Sequence, residues 1–363
     1  MAAKRIDPTR LARKRAASQL LHRPPAARHP VDVARLAGPI QAQEPRAAKL
    51  AFRARARGLT AADVDRARTE ERSLLRAWMM RKTVHLIPTE DAGWLLPLFS
   101  ETIVRWSRKR LNDFGLVRSG QDRALAVLHD AVVGEGPLTR SELAERLERA
   151  GFETANEFKV HLWLLATLDG ELCLGPDRRG QTCLVRTSDW IGKLERRPRE
   201  HAQAEHARRY LRGYAPAGER DLARWAGLPL RDARIGFERI ARELEPVETA
   251  AGSLFTLAGT ARLPRSPVVR LLGAFDNYNL GYEDRGFAVG DENVKQIVPG
   301  GGIVRPTIAV DGRFAGTWSS RRNGKKLAVT LEPFAGIDPE IDEALAAEVA
   351  DIGRFEGLTA TTA

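Results

Sequence analysis

The sequence predicts an α+β fold for this chain of 363 residues. Before residue 262, helical segments recur three times in the same order, and each set is followed by a paired strand signal. From Pro267 onward, strand-like runs separated by Gly, Asp-Gly and Asn-Gly replace the helices, until one final helical segment at residues 339–354. Such a succession is typical of an α+β protein.

The recurring feature is a short helical stretch that follows a proline and ends in glycine. Its three copies begin at His29 (HPVDVARLAG), Gly136 (GPLTRSELAERLERAG) and Ala215 (APAGERDLARWAGLP). A further helix is predicted before each copy, at residues 9–21, 121–133 and 201–210, and after each copy, at residues 45–57, 157–168 and 230–244. This order of helices and turns predicts a helix-turn-helix in each set.

Paired strands are predicted behind each set of helices. ELCLGPDRRGQTCLVR (171–186) and EPVETAAGSLFTLA (245–258) alternate apolar and polar residues around a turn. In the first set, one extra helix at residues 60–70 precedes LLRAWMMRKTVHLIP (74–88), which can form the hairpin. Three helices closed by a β-hairpin make a winged helix. The sequence therefore predicts three tandem winged-helix modules at residues 1–118, 119–198 and 199–262, and a C-terminal antiparallel β-barrel-like part with a closing helix at residues 263–363.

Positive charge is concentrated in the first third of the chain. Residues 1–115 contain 24 Lys and Arg against 11 Asp and Glu, whereas the remaining residues contain 34 against 36. A GC-rich genome would explain abundant arginine, but it would not confine the excess to one third. A basic region on a nearly neutral body indicates a protein that binds nucleic-acid phosphates.

The segment GPIQAQEPRAAKLAFRARARG (38–58) holds two glutamines ahead of a basic helix. Pro45 suits the first turn of a helix and pushes the residue before it towards extended geometry, so residues 39–44 are predicted to be extended. In an extended chain, residues two apart point to the same side. Gln41 and Gln43 would then project side by side at the helix N-terminus, although a polar turn or a capping segment would have the same composition.

Two basic groups are candidate DNA contacts. The first is a stripe on the helix that begins at Pro45, formed by Arg46, Lys49, Arg53 and Arg57. The second lies in SSRRNGKKLAV, where Asn323-Gly324, the strongest two-residue hairpin signal, is flanked by Arg321, Arg322, Lys325 and Lys326. The alternatives are a solvated helix face for the stripe and a turn kept soluble by its charge for the hairpin.

The sequence lacks the residues that several classes of reaction require. There is no Walker-type phosphate loop, because the glycines at 300–302 follow a proline and do not open a helix. No catalytic zinc spacing and no compelling carboxylate pair for two metals are present, so no metal and no cofactor are predicted. Cys173 and Cys183 are expected to be free thiols. With no membrane-spanning run and no signal peptide, a cytoplasmic protein is expected.

The glutamines could act only on an activated substrate. A carboxamide cannot be a strong general base, but it can orient a water molecule and place a carbonyl dipole against developing positive charge. An N7-alkylated guanine is activated, because the base is cationic and its glycosidic bond is weakened. Gln41 and Gln43 fit a water-orienting pair for breaking that bond.

Five segments in order resemble the winged-helix DNA glycosylases related to the azinomycin-resistance enzyme. They are QLLHRP, IQAQEPRAAKLAFRAR, RAWMMRKTVHLIPTEDAGWLLPL, LLGAFDNYNLGYEDR and GGIVRPTIAVDGRFAGTW, spread over about residues 10–335. The resemblance implies three winged helices in a C-shaped body with a basic concave channel. It also implies that Gln41-Ala42-Gln43 is the catalytic signature and that the hairpin around Asn323 lies near DNA. His85 becomes a candidate channel residue or, equally, a hydrogen-bonded strand histidine, whereas the residues of FDNYNLGYEDR are mainly structural: Asp276, Tyr278 and Arg285.

The resemblance implies a monofunctional DNA glycosylase that hydrolyses the N-glycosidic bond of N7-alkylated guanine. Bulky or crosslinked adducts are included, and the product is an abasic site without strand cleavage, because no lysine is assigned as a nucleophile. The expected partner is double-stranded DNA carrying alkylated purines, bound by a nucleoid-associated monomer that needs no membrane. Two alternatives stay open: a winged-helix transcriptional regulator without catalysis, and an architectural protein that bends DNA.

Overall fold

The computed structural model describes residues 5–152, 156–250, 252–258 and 263–363. The chain forms two compact units: unit 1 comprises Met1–Asp65 with Gln203–Ala363, and unit 2 comprises Arg66–Ala202. The predicted α+β class is confirmed, because helices and mostly antiparallel strands occur in both units. Ala251, a turn residue of the third predicted hairpin, and the predicted boundary at residue 262 lie outside the described residues.

The elements are numbered in chain order. The helices are α1 (Pro8–Ser18), α2 (Pro30–Ala37), α3 (Pro45–Arg55), α4 (Ala61–Thr69), α5 (Ala92–Leu95), α6 (Pro97–Asp113), α7 (Arg118–Glu135), α8 (Arg140–Arg149), α9 (Asn156–Ala166), α10 (Thr187–Ile191), α11 (Arg199–Tyr214), α12 (Glu219–Ala226), α13 (Leu230–Arg239), α14 (Asn277–Leu280), α15 (Asp291–Ile297) and α16 (Pro339–Glu356). The strands are β1 (Ile40–Gln41), β2 (Leu74–Trp78), β3 (Val84–Pro88), β4 (Leu138–Thr139), β5 (Leu172–Arg178), β6 (Gln181–Arg186), β7 (Leu244–Thr249), β8 (Gly252–Leu257), β9 (Val269–Leu272), β10 (Thr307–Val310), β11 (Arg313–Asn323), β12 (Lys326–Pro333) and β13 (Thr359–Thr362).

The helices predicted from the recurring pattern are confirmed to within a few residues. The three sets correspond to α1–α3, α7–α9 and α11–α13, and the extra helix is α4. Four of these helices end two to five residues earlier than predicted: α1, α3, α9 and α13. Helix α3 ends at Arg55, because Ala56 is already extended with φ −130° and ψ 150°. Helix α13 ends at Arg239, because a short 3-10 turn and then β7 follow it.

Unit 2 contains a sheet in which two predicted hairpins meet. The hairpin β2–β3 and the hairpin β5–β6 are both antiparallel, and β2 joins β5 through the pair Arg76 and Leu174. The short strand β4 completes this part of the sheet by pairing with β6. Both hairpins are thus confirmed. The first lies in unit 2 while helices α1–α3 belong to unit 1, so the division into four modules stays a prediction.

Unit 1 contains a five-stranded sheet in the order β13-β12-β11-β10-β9. The pairs among β9 to β12 are antiparallel, as predicted for the C-terminal part. The last strand, β13, was not predicted, and it runs parallel to β12 after the closing helix α16. Because β9 and β13 are both edges, the described strands form an open sheet rather than a closed barrel.

Candidate active site and DNA-contact residues

The Gln-Ala-Gln segment lies in unit 1 between the end of α2 and the start of α3. Strand β1 makes Ile40 and Gln41 extended, and Glu44 is again extended with φ −110° and ψ 109°. Ala42 is buried with 4% of its surface exposed, whereas Gln41 is half-buried and Gln43 is exposed. Ala42 thus lies towards the core and both glutamines on the accessible side, as predicted, although the strand ends at Gln41 and the chain bends at Gln43 and Glu44 before α3.

A buried asparagine holds the backbone of this segment. The Nδ2 atom of Asn277 donates to the carbonyl of Pro39 at 2.9 Å, and its Oδ1 atom accepts from the backbone N–H of Gln41 at 3.4 Å. Asn277 thereby contacts the segment as a neighbouring strand would. With 2% of its surface exposed, it has little freedom to move. We infer that Asn277 positions Gln41.

A fully buried ion pair anchors the neighbouring elements. The guanidinium of Arg55 donates to both carboxylate oxygens of Asp276, at 2.9 and 2.7 Å, and to Oε1 of Gln19 at 2.8 Å. Gln19 in turn donates to the carbonyls of Ala37 and Gly213, at 3.1 and 2.7 Å. Burial acts to lower the pKa of Arg55, but the Asp276 carboxylate raises it above its ordinary value. This polar network connects α1, α2, α3, α11 and the start of α14.

A glycine ends α2 directly before the segment. Gly38 has φ 86°, a conformation that residues with a side chain rarely adopt. A Cβ atom there would lie 3.4 Å from the ring atoms of both Tyr214 and Trp225. These two rings pack with their centroids 4.8 Å apart in the core of unit 1. The turn that starts the segment therefore packs against an aromatic core.

The sequence alone predicted no role for three residues that hold this region in place. Gln19, Arg55 and Asn277 lie within the quoted segments QLLHRP, IQAQEPRAAKLAFRAR and LLGAFDNYNLGYEDR. Their occurrence there was the available signal, but the contacts of Arg55 with Asp276 and of Asn277 with Pro39 join residues more than 200 positions apart. The structural role expected for FDNYNLGYEDR is confirmed: Asp276 pairs with Arg55, the Tyr278 hydroxyl is 2.7 Å from the Gly312 carbonyl, and Arg285 donates to the Asn279 carbonyl.

Only part of the predicted basic stripe on α3 is exposed. Arg46 forms a bidentate pair with Glu356 at 2.6 and 3.1 Å, and Lys49 lies 2.6 Å from Asp65. Arg57 is exposed beyond the end of the helix. Arg46 and Lys49 are therefore partly neutralised by carboxylates.

The prediction that Arg53 belongs to an exposed basic stripe is wrong, because none of its surface is exposed. Its guanidinium lies 2.9 Å from Glu348 and 3.1 Å from Asp351 of α16, and it donates to the Leu271 carbonyl at 2.6 Å. Helix α16 covers this side of α3 and supplies the two carboxylates. Arg53 stabilises unit 1 and does not lie on the surface that was predicted to meet DNA.

His85 is also buried, in strand β3 of unit 2, with no exposed surface. Its Nδ1 atom lies 3.2 Å from the Thr83 carbonyl. Burial, followed by the charge of Arg81, holds the pKa of His85 well below its usual value, so the ring is neutral at pH 7. The interpretation as a hydrogen-bonded strand histidine fits this geometry, whereas a direct contact with DNA does not.

The basic hairpin is present, with a turn one residue later than predicted. Asn323 pairs with Lys326 at the end of the two strands, so the two loop residues are Gly324 and Lys325. Gly324 has φ 58°, and glycine at the first loop position is typical of a type II′ turn. We call the exposed residues here the hairpin tip: Arg321, Arg322, Asn323, Lys325 and Lys326.

The remaining chemical groups are unremarkable for a reaction site. Among the described residues, no group of three or more His, Cys, Asp or Glu side chains is placed to hold a metal ion. Cys173 and Cys183 are free and buried, as predicted, and burial raises the pKa of Cys173 to about 12. In the same part of the chain, no helix is long and apolar enough to cross a membrane.

Three comparisons relate this chain to known proteins. Residues 33–355 match the AlkZ-like family, described as DNA glycosylase AlkZ-like. The chain is 28% identical over 310 residues to an interstrand DNA cross-link repair glycosylase of Streptomyces sahachiroi, covering 79% of this chain and 80% of that protein. The solved structure of the Streptomyces sahachiroi DNA glycosylase AlkZ superposes with a TM-score of 0.79 at 23% identity, covering 99% of this chain and 100% of that one.

The structural likeness shows a shared fold, and the family match spans most of the sequence. The resemblance drawn from the five sequence segments is thereby confirmed. The chain is a DNA glycosylase and belongs to the AlkZ-like family.

Proposed function

We propose that this glycosylase excises cationic N7-alkylated guanines, including bulky and crosslinked adducts, and that Gln41 and Gln43 carry the chemistry. The observation that supports this most is the geometry of the Gln-Ala-Gln segment. Both glutamines lie on the accessible side of a short segment whose backbone Asn277 holds at Pro39 and Gln41. A pre-positioned pair of carboxamides can orient a water molecule without rearranging during the reaction.

In the proposed reaction, a water molecule held by the two glutamines attacks C1′ of the damaged nucleotide. The bond between C1′ and N9 breaks, both of its electrons stay with N9, and the formerly cationic base leaves as a neutral molecule. The water oxygen forms the new bond to C1′, and the released proton passes to solvent. The carboxamide oxygens stabilise the electron-poor sugar while it carries positive charge. The product is an abasic site in an intact strand.

The proposed DNA contacts follow from exposure and charge. The hairpin tip and Arg57 are exposed, and Arg46 and Lys49 are accessible cations with carboxylate neighbours. Arg53 and His85 are excluded from this set by their burial. We further propose that the three helical sets with their hairpins act as winged-helix modules, and that a monomer associated with the nucleoid binds duplex DNA.

Crosslinked substrates are included because the Streptomyces sahachiroi relative is an interstrand DNA cross-link repair glycosylase. Each attachment of a crosslink to N7 of guanine makes that base cationic, so the proposed chemistry applies to either end. The regulator alternative is not favoured, because the family is one of glycosylases.

The proposal is tested by base release from duplex DNA. One set of duplexes carries a single N7-methylguanine, a second carries an N7-linked interstrand crosslink, and a third carries unmodified guanine. We expect alkali-labile sites above spontaneous depurination in the first two sets and none in the third. Salt-sensitive binding without release from either damaged duplex would contradict the proposed substrate class.

A further inference from the structure

A tight glycine turn in unit 1 presents an exposed isoleucine. Gly300, Gly301 and Gly302 have φ values of 111°, 60° and 78°, and the backbone N–H of Ile303 donates to the Gly300 carbonyl at 3.0 Å. A turn whose two central residues both have positive φ strongly favours glycine. Ile303 is 51% exposed, and it is the one exposed large hydrophobic residue among those described in unit 1.

The turn is connected to the Gln-Ala-Gln segment by short hydrogen-bonded links. The carbonyl of Val304, the residue after Ile303, accepts from the backbone N–H of Phe275 at 3.3 Å. Two residues further along is Asn277, which contacts Pro39 and Gln41. The N–H of Arg305, which follows the turn, donates at 2.9 Å to the carbonyl of Ile297, which precedes it. The position of Ile303 is therefore linked to the same framework that holds Gln41.

A cleft lies between residues that flank the two features. It has a volume of about 550 Å³, and Glu44 and Arg46 line it on the α3 side, next to Gln43. Arg305 and Pro306 line it on the side of the glycine turn. The Arg305 side chain is exposed and forms no ion pair with any residue that the structure describes. The cleft thus separates Arg305, two residues after the apolar tip, from Glu44, the residue after Gln43.

We propose that Ile303 is a wedge that enters the DNA base stack beside the damaged nucleotide, while Arg305 contacts a flanking phosphate. This inference rests on the proposed function, because it assumes that the lesion lies at Gln41 and Gln43. Proteins that bend duplex DNA commonly insert Ile, Leu, Met, Phe or Pro between base steps. Filling the opened step opposes restacking, so the lesion stays close to the glutamines. The tight turn and its anchored flanks keep the inserted side chain from folding away.

The experiment measures unstacking separately from catalysis. The probe is a duplex with a stable abasic analogue flanked by 2-aminopurine, whose fluorescence rises when it is unstacked. We expect saturating wild type to raise the fluorescence, Ile303→Ala to lose most of the rise, and Ile303→Leu to retain it. Val117→Ala removes another exposed aliphatic side chain, in unit 2, and should behave as wild type. Because Ile303 is largely exposed, its truncation should not unfold the protein, which circular dichroism checks.

Base release from N7-methylguanine is measured with the same variants. Ile303→Ala should slow it about tenfold, with recovery in Ile303→Leu. A full fluorescence rise with Ile303→Ala, or no rise with wild type, would overturn the wedge even if base release is normal. Unstacking that depends on Ile303, without any base release by wild type, would support the wedge and overturn the proposed substrate instead.

Discussion

Replacing Asp276 by asparagine would leave a buried guanidinium without its negative partner. Neither Arg55 nor Asp276 has any exposed side-chain surface, and the pair is bidentate. Removing one partner of such a pair costs about 3–5 kcal/mol, because the remaining charge stays buried and uncompensated. Asparagine keeps the shape of the side chain and one acceptor, so we expect the stability of this region to fall by about 3 kcal/mol.

The loss of stability should be measured in the region around the ion pair of Arg55 and Asp276. Native-state hydrogen exchange of peptides covering α3 gives the opening free energy of this region, which matters because two units need not unfold together. Asp284→Asn is the matched control: Asp284 is exposed and accepts only a local bond from the backbone N–H of Gly286. It should change the opening free energy by less than about 0.5 kcal/mol.

A double-mutant cycle tests whether the unpaired buried charge causes the loss of stability. Arg55→Met combined with Asp276→Asn should cost clearly less than the sum of the single changes, because no unpaired charge then remains. Additive effects, or a loss below about 1 kcal/mol for Asp276→Asn, would refute the assignment of this pair as the anchor of the site.

Three further predictions concern the site, the pH dependence and the DNA contacts. Asn277→Ala should slow base release roughly tenfold with little change in the DNA dissociation constant, because the Gln41 backbone loses its partner; a normal rate would contradict the positioning role. Burial lowers the pKa of His206 to about 4, below its unfolded value, so the unfolded state binds more protons as pH falls. The free energy of unfolding should therefore drop by about 2 kcal/mol from His206 alone between pH 7 and pH 5, and His206→Phe in urea titrations should remove that part. Changing the two arginines of the hairpin tip to glutamine should reduce the slope of log binding constant against log salt by roughly 2, and an unchanged slope would remove the tip from the interface.

Local signals predicted the segment that holds the glutamines. Pro45 marks the start of α3, and the restriction that proline places on the preceding residue made the lead-in extended. Gly38 and the capping Glu44 fit the same interpretation. These effects depend only on residues that are close together in the chain, so they can be predicted from the sequence.

The roles of individual cations could not be predicted in the same way. Arg53 and Arg57 share a helical stripe, but α16 covers only Arg53, with carboxylates that lie almost 300 positions later. The anchoring pair of Arg55 and Asp276 joins residues 221 positions apart. Strand β13 was missed for a similar reason, because its parallel pairing with β12 depends on how α16 returns the chain to the sheet.

The central claim is that Gln41 and Gln43 break the glycosidic bond. The most direct measurement is the single-turnover rate of N7-methylguanine release at saturating enzyme for wild type, Gln41→Ala and Gln43→Ala, with DNA binding measured in parallel. At least one variant should lose about a hundredfold in rate while binding DNA as wild type does. Unchanged rates in both variants, with wild type active, would contradict the account and place the chemistry on other residues.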